Sequence, residues 1–156
     1  MDLKEYNLPL LDEPISPSQG KYSKEHTFKW AAKIATFDAF IFVTPEYNFG
    51  TCAALKNALD FLYAEWNNKS AGFVSYGSSN GVRAVAQLRA TIAELQIADV
   101  RTQVALSTHT DFDLEVFKPA PHHDKSIKSM LDQVITWGNL LMTLREKKSS
   151  VKYFVK

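Results

Sequence analysis

Two short segments hold the residue types that could do chemistry: Thr44-Pro45-Glu46-Tyr47-Asn48-Phe49-Gly50 and Ser75-Tyr76-Gly77-Ser78-Ser79-Asn80-Gly81. Aromatic, amide, hydroxyl and glycine residues dominate both. Such segments can set backbone N–H groups and flat side chains against a planar heteroaromatic ligand. Neither contains Lys or His, side chains that acid–base and nucleophilic catalysis commonly use. Ser75 lacks the Gly-x-Ser-x-Gly setting of a hydrolase nucleophile. His109-x-Asp111 and His122-His123-Asp124 carry metal-ligating side chains, but no third cluster accompanies them, so solvated residues are the expectation. His26 reads as a helix-surface residue. Cys52 is the single cysteine, which excludes an internal disulfide framework and a multi-cysteine zinc site. Its place before an apolar helix reads as structural, although a helix N-terminus does lower a thiol pKa.

The elements that must position these segments follow from hydrophobic spacing. Pro9, Pro14, Pro17 and Gly20 punctuate residues 1–20 as an extended loop. A helix is expected from about Ser23 to Ala35, with Ala31, Ile34 and Ala35 on one face. Ala39-Phe40-Ile41-Phe42-Val43 is apolar at every position, the pattern of a short strand covered on both faces in a parallel sheet. Leu55, Ala58, Leu59 and Leu62 mark the next helix, and Ala71 to Ser75 a second short strand. Val82, Val85, Leu88, Ile92 and Leu95 mark a third helix. Val100 to Leu106 alternates with polar residues and suits a sheet edge. Residues 107–122 read as a long polar loop. A last helix runs from about Asp124 to Lys147, with Ile127, Met130, Leu131, Val134, Leu141 and Leu144 facing inward. This order implies an open α/β sheet with right-handed crossovers. In such sheets ligands bind beyond the carboxyl ends of the strands, where both chemical segments fall.

Composition narrows the function classes. The 156 residues carry 18 Lys plus Arg against 17 Asp plus Glu, a net charge of +1 with no block of like charge. That argues against a nucleic-acid partner. No apolar run is long enough to span a bilayer and no signal peptide is visible, so a cytoplasmic protein without a membrane partner is expected.

Thr44-Pro45-Glu46-Tyr47-Asn48 after an apolar strand, followed by Leu55-Lys56-Asn57-Ala58-Leu59-Asp60, resembles the NADPH-dependent FMN reductase family of flavodoxin-like proteins. Ser75-Tyr76-Gly77 with Gly81-Val82-Arg83-Ala84 is similar to that family's second flavin loop. The stretch involved runs from Asp2 to about Leu106. The resemblance implies a flavodoxin-like open parallel sheet with helices on both faces. It also implies FMN as cofactor, NADPH or NADH as donor, and a quinone, flavin or similar small molecule as acceptor. By position, Pro45, Glu46, Tyr47, Asn48 and Phe49 would approach the ribityl chain and ring, and Ser75, Tyr76, Gly77 and Gly81 the pyrimidine side. The flavin performs the redox chemistry, so no catalytic acid or base is assigned. A homodimer or tetramer is implied as well, with Tyr63 and Trp66 offered as contact residues.

Two departures accompany the resemblance. Cys52 stands where the family usually has proline. Family members also begin with a strand and a Gly-Ser-x-Arg-type phosphate loop, whereas this chain starts where their second strand ends. The expected domain, residues 1–148 with a basic tail at 149–156, is therefore N-terminally shortened, and Ala39 to Val43 becomes an exposed apolar edge. That edge belongs to an incomplete form, or is covered by another chain or by a rearranged N-terminus. The alternative to a flavin-dependent oxidoreductase is a catalytically silent homologue serving in oligomerisation or regulation. An electron carrier of the flavodoxin kind fits poorly, since such carriers are strongly acidic.

Overall fold

The computed structural model describes residues 1–114 and 116–148; the tail at 149–156 lies outside them. Among the described residues four α-helices and six strands follow in this order: α1 (Glu25–Ala35), β1 (Ala39–Tyr47), β2 (Gly50–Thr51), α2 (Ala53–Asp60), β3 (Lys69–Gly77), α3 (Val82–Glu94), β4 (Ile97–Ser107), β5 (Phe112–Asp113), β6 (Val116–Phe117) and α4 (His122–Lys148). The main sheet has the order β2-β1-β3-β4, and β5 pairs with β6 in a separate ribbon. β1, β3 and β4 run parallel, while β2 folds back antiparallel on β1. Helices cover both sides, as expected of the α/β class.

Strand alternation sends side chains to two unequal cores. Phe40, Phe42, Ala71 and Phe73 meet Trp30 and Ile34 of α1, Leu55 and Leu59 of α2, and Val85, Leu88 and Ile92 of α3. Trp66 lies edge-on to Phe40 at 5.1 Å between ring centroids, so it is a core residue and not the surface contact its position suggested; Tyr63 is half-buried against the same core. On the other side Val100, Val104 and Leu106 of β4 meet Met130 and Val134 of α4, with Ala39, Val74, Tyr76 and Phe112 partly buried against them. Gly72 makes that approach possible: a Cβ there would stand 2.9 Å from the Met130 side chain. The Ser70 hydroxyl donates to the Val134 carbonyl at 2.8 Å across the same seam.

Three expectations change here. First, β1 is not covered on both faces: Phe40 and Phe42 are buried while Val43 is 60% exposed and Ile41 also reaches solvent. Over residues 39–45 its outer side has no strand partner among the described residues, which agrees with the exposed apolar edge. Second, Ile127, Leu131 and Leu144 of α4 are exposed and Leu141 only half-buried, because the narrow sheet offers a surface for Met130, Val134 and Gly138 alone. Val82 of α3 and Ala35 of α1 are likewise exposed. Third, residues 1–20 are a tethered strap with short 3-10 turns at Leu3–Tyr6 and Pro17–Gln19. The Asn57 carboxamide donates to the Pro9 carbonyl at 2.7 Å and accepts from Leu11 N–H at 3.0 Å. The Glu13 carboxylate accepts from the Ser23 and Lys24 N–H groups at the start of α1, 2.8 and 3.0 Å away.

Candidate functional site

Both chemical segments lie at the carboxyl end of the parallel strands. The first is less loop-like than its sequence suggests. β1 continues through Pro45 and Glu46 to Tyr47 and turns at Asn48-Phe49 into β2, with Tyr47 opposite Gly50 and Glu46 opposite Thr51. Both turn residues have positive φ, 48° for Asn48 and 73° for Phe49. A two-residue hairpin of this hand wants that conformation, and asparagine takes it readily. Phenylalanine does not, and such a backbone costs on the order of 1–3 kcal/mol. The structure holds it from α3: Gln87 Nε2 donates to the Phe49 carbonyl at 2.9 Å, and the Arg83 guanidinium stacks 4.8 Å from the Phe49 ring centre. The Thr44 and Thr51 hydroxyls meet at 2.8 Å and close the base of the turn.

The second segment leaves β3 at Gly77 and enters α3 through Asn80 and Gly81, both at positive φ. Ser75 is fully buried and its hydroxyl donates to the Asn80 carbonyl at 2.8 Å. Gly81 has no room for a side chain, since a Cβ would lie 2.6 Å from Ser75 Cβ. Gly77 packs against Glu46, where an added Cβ would come within 3.2 Å of Glu46 Cβ.

Glu46 joins the two segments. Its side chain, 4% exposed, accepts from Arg83 Nε at 2.5 Å and from the Arg83 N–H at 3.0 Å, and it forms an ion pair with the same guanidinium. The Arg83 hydrogen bonds, helped by the Ala84 N–H, hold the Glu46 carboxyl below its ordinary value of 4.5. Arg83 also donates to Ser79 Oγ at 3.1 Å.

The expected ligand residues therefore divide by role. Glu46, Ser75, Gly77 and Gly81 point into the frame that fixes the two turns, and Pro45 sits in β1 opposite Tyr76 in the register. Tyr47, Asn48 and Phe49 face outward, with Phe49 58% exposed, and Tyr76 lies half-buried beside them. Burial, followed by the charges of Tyr47 and Cys52, pushes the Tyr76 phenol up and keeps it a neutral hydrogen-bond donor. Arg83 and Gln87 are the positioning residues the spacing of the sequence did not single out. The only signal for Arg83 was its place in Gly81-Val82-Arg83-Ala84.

This end of the sheet suits a flat, neutral, hydrogen-bonding ring: exposed aromatic faces, the Asn48 amide and the Ser78 hydroxyl stand around two rigid turns. The two segments hold no Lys or Arg, and Arg83, two residues beyond the second, is already neutralised by Glu46. FMN therefore fits at its ring, and these segments supply no free cation for its phosphate. Cys52 precedes α2 half-buried, with a free thiol.

The suspected metal residues resolve differently from expectation. Asp111 is 2% exposed and His123 is buried, so neither is a solvated loop residue. Asp111 accepts from the Ser107 N–H at 2.8 Å, the Ala120 N–H at 2.9 Å and His123 Nε2 at 2.9 Å. The Ala120 bond leads in holding its carboxyl below the usual range. Among the described residues no group of three or more His, Cys, Asp or Glu is placed to hold a metal ion. His26 pairs with Asp12 at 2.9 Å on the surface of α1.

Comparison with known proteins places this geometry in context. The family model described as NADPH-dependent FMN reductase matches residues 1–111. An NAD(P)H-dependent FMN reductase of Schizosaccharomyces pombe is 38% identical over 151 residues, covering 95% of this chain and 76% of the relative. An NAD(P)H-dependent FMN reductase of a Nectria species is 37% identical over 116 residues, 70% of this chain and 58% of the relative. The chain thus spans between about three fifths and three quarters of the length of these relatives. The solved flavoenzyme NAD(P)H:(acceptor) oxidoreductase FerB of Paracoccus denitrificans superposes with a TM-score of 0.61 at 18% identity, covering 88% of this chain and 76% of that one. That likeness establishes the flavodoxin-like fold.

Proposed function

Because this chain belongs to the NADPH-dependent FMN reductase family, we propose that it is a flavin-dependent oxidoreductase serving NAD(P)H and a quinone, flavin or similar small acceptor. The observation that carries the reading is the rim of Tyr47, Asn48, Phe49 and Tyr76, held by the Glu46–Arg83 clasp at the carboxyl end of the sheet. When bound there, FMN supplies the redox chemistry, so that NAD(P)H and a proton reduce a quinone to its hydroquinone.

The chain's own residues bind and orient. Tyr47 and Phe49 present ring faces, Asn48 an amide, and Tyr76 a neutral phenol. Ser75, Gly77 and Gly81 keep the second turn tight enough for its backbone to approach a ring, and Pro45 stiffens the strand leading to the first turn. We further propose that the protein works as a homodimer or tetramer in the cytoplasm. The exposed apolar residues Leu131 and Ile135 on α4 support association.

Titration of the purified chain with FMN, followed by quenching of flavin fluorescence, tests this. Saturation near one FMN per chain is expected, with Tyr47→Ala or Asn48→Ala weakening binding on the order of tenfold, the effect of losing one good stacking or hydrogen-bonding partner. Unchanged affinity in both variants would remove these loops from the site. Absence of quenching in the wild type would instead favour a silent homologue acting in assembly.

A further inference from the structure

Beyond β4 the chain returns to the ligand end of the sheet as the β5–β6 ribbon, outside the residues that the family model matches. The return is tied to the second turn directly: the Thr108 N–H donates to the Gly77 carbonyl at 3.2 Å. Asp111 then clamps the base of the ribbon. Its carboxylate gathers the Ser107 and Ala120 N–H groups and His123 Nε2, and its carbonyl accepts the Lys118 N–H at 2.8 Å. A buried carboxylate with this set of donors is a rigid mount.

What the mount carries is aromatic. The Phe112 ring lies 6.3 Å from that of Tyr76, and the Phe117 ring 5.3 Å from that of Phe112. Phe112 is half-buried in the small core with Tyr76, whereas Phe117 is 55% exposed and its neighbour Val116 more so. The three rings form a stepped row from the site outward. Its outermost member keeps a large apolar face in water although its backbone is fixed. The charged residues on this segment are Asp111, buried and paired, together with Asp113, Glu115 and Lys118, so acidic residues outnumber the one lysine. A dinucleotide's phosphates would find no net positive charge here.

We infer that Phe117, backed by Phe112 and Tyr76, is the acceptor-side wall of the site and selects flat, uncharged rings of the naphthoquinone class. The inference rests on the flavin-dependent reading above and adds to it a residue that sets acceptor choice.

The test uses the FMN-loaded protein and its Phe117→Ala and Phe117→Trp variants. Bound flavin is measured by absorbance before any acceptor is added. Two acceptors are compared: 2-methyl-1,4-naphthoquinone, which takes two electrons and two protons per NADPH oxidised with one proton from solvent, and ferricyanide, a compact anion of which two are reduced per NADPH. Phe117→Ala is expected to raise the KM for the naphthoquinone about five- to tenfold, as loss of one aromatic contact does. The naphthoquinone dissociation constant, read by equilibrium dialysis against the oxidised protein without NADPH, is expected to rise equally. FMN content, the KM for NADPH and ferricyanide turnover stay unchanged, and Phe117→Trp restores naphthoquinone binding.

Equal naphthoquinone binding in wild type and Phe117→Ala would overturn the inference. So would a rise confined to the KM for NADPH, which would make the wall a nicotinamide platform. A wild-type chain that retains no FMN would overturn the flavin reading itself, and the absorbance step records that outcome separately.

Discussion

On the face of the sheet covered by α1, α2 and α3, eighteen buried apolar residues among those described form one continuous core, in which Trp66 meets Trp30, Phe40 and Phe42 edge to face while Phe42 stacks on Phe40 and tilts against Phe73. On the opposite face five residues do the equivalent work, and Ile41, Val43, Leu131 and Ile135 remain in solvent beside them. The same three strands serve both faces, so the difference lies in how many helices each receives. Where three helices meet a narrow sheet, large aromatic side chains can be buried whole. Where one helix meets it, contact is limited to a seam, and small residues at Gly72, Ser70 and Gly138 set its depth. The two candidate ligand turns grow from strands anchored mainly in the thick core, while the β5–β6 ribbon is mounted on the thin one.

The largest effect should come from the thick face. Trp66→Ala removes a fully buried indole that contacts two phenylalanine rings and donates from Nε1 to the Leu59 carbonyl at 3.1 Å. A loss of about 3–5 kcal/mol is expected in urea unfolding, a large share of the roughly 5–15 kcal/mol by which domains are usually stable. A smaller and pH-dependent effect belongs to the clasp between the turns. Glu46→Gln weakens charge-assisted hydrogen bonds worth about 2 kcal/mol in total. Because the folded carboxyl titrates below 4.5, the wild type holds this advantage in full above that pH. The advantage is lost as pH falls through the lowered value. Unfolding curves of the two proteins should therefore differ at pH 7 and converge in strong acid; a constant offset across that range would refute the assignment. The smallest effect is expected on the thin face, where Ile135→Gln on exposed α4 should shift stability by no more than about 0.5 kcal/mol. A loss beyond that would come from the proposed assembly, which light scattering should show shifting toward monomer; an unchanged oligomer would take Ile135 out of the contact.

The sequence made the scaffold legible wherever hydrophobic period and position agreed. The stripe Val85, Leu88, Ile92 locates α3, and the half-polar Val100 to Leu106 marks the outer strand β4, correctly. The two candidate ligand turns stood out as a pair because aromatic, amide, hydroxyl and glycine residues gather in both after apolar strands. The conformation of the first turn was not legible. Asn-Gly advertises a positive-φ hairpin, whereas Asn48-Phe49 owes its shape to Arg83 and Gln87, over thirty residues away in sequence. The Asp111–His123 pair escaped for a related reason, since only the folded ribbon brings a loop carboxylate beneath the start of α4. Helical period also cannot distinguish a covered stripe from an uncovered one, which is why Ile127 and Leu131 read like Met130 and Val134.

The uneven faces give the molecule a built-in optical contrast. Trp30 and Trp66 are sealed in the thick core with ring centres 6.1 Å apart, while Trp137 stands 45% exposed on α4. Acrylamide should therefore silence one emitter of three in the native protein and leave a blue-shifted remainder. If α4 lifted from its shallow seam while the thick core survived, the red component would change alone, and the same cuvette would report the melting of each side of the sheet in turn.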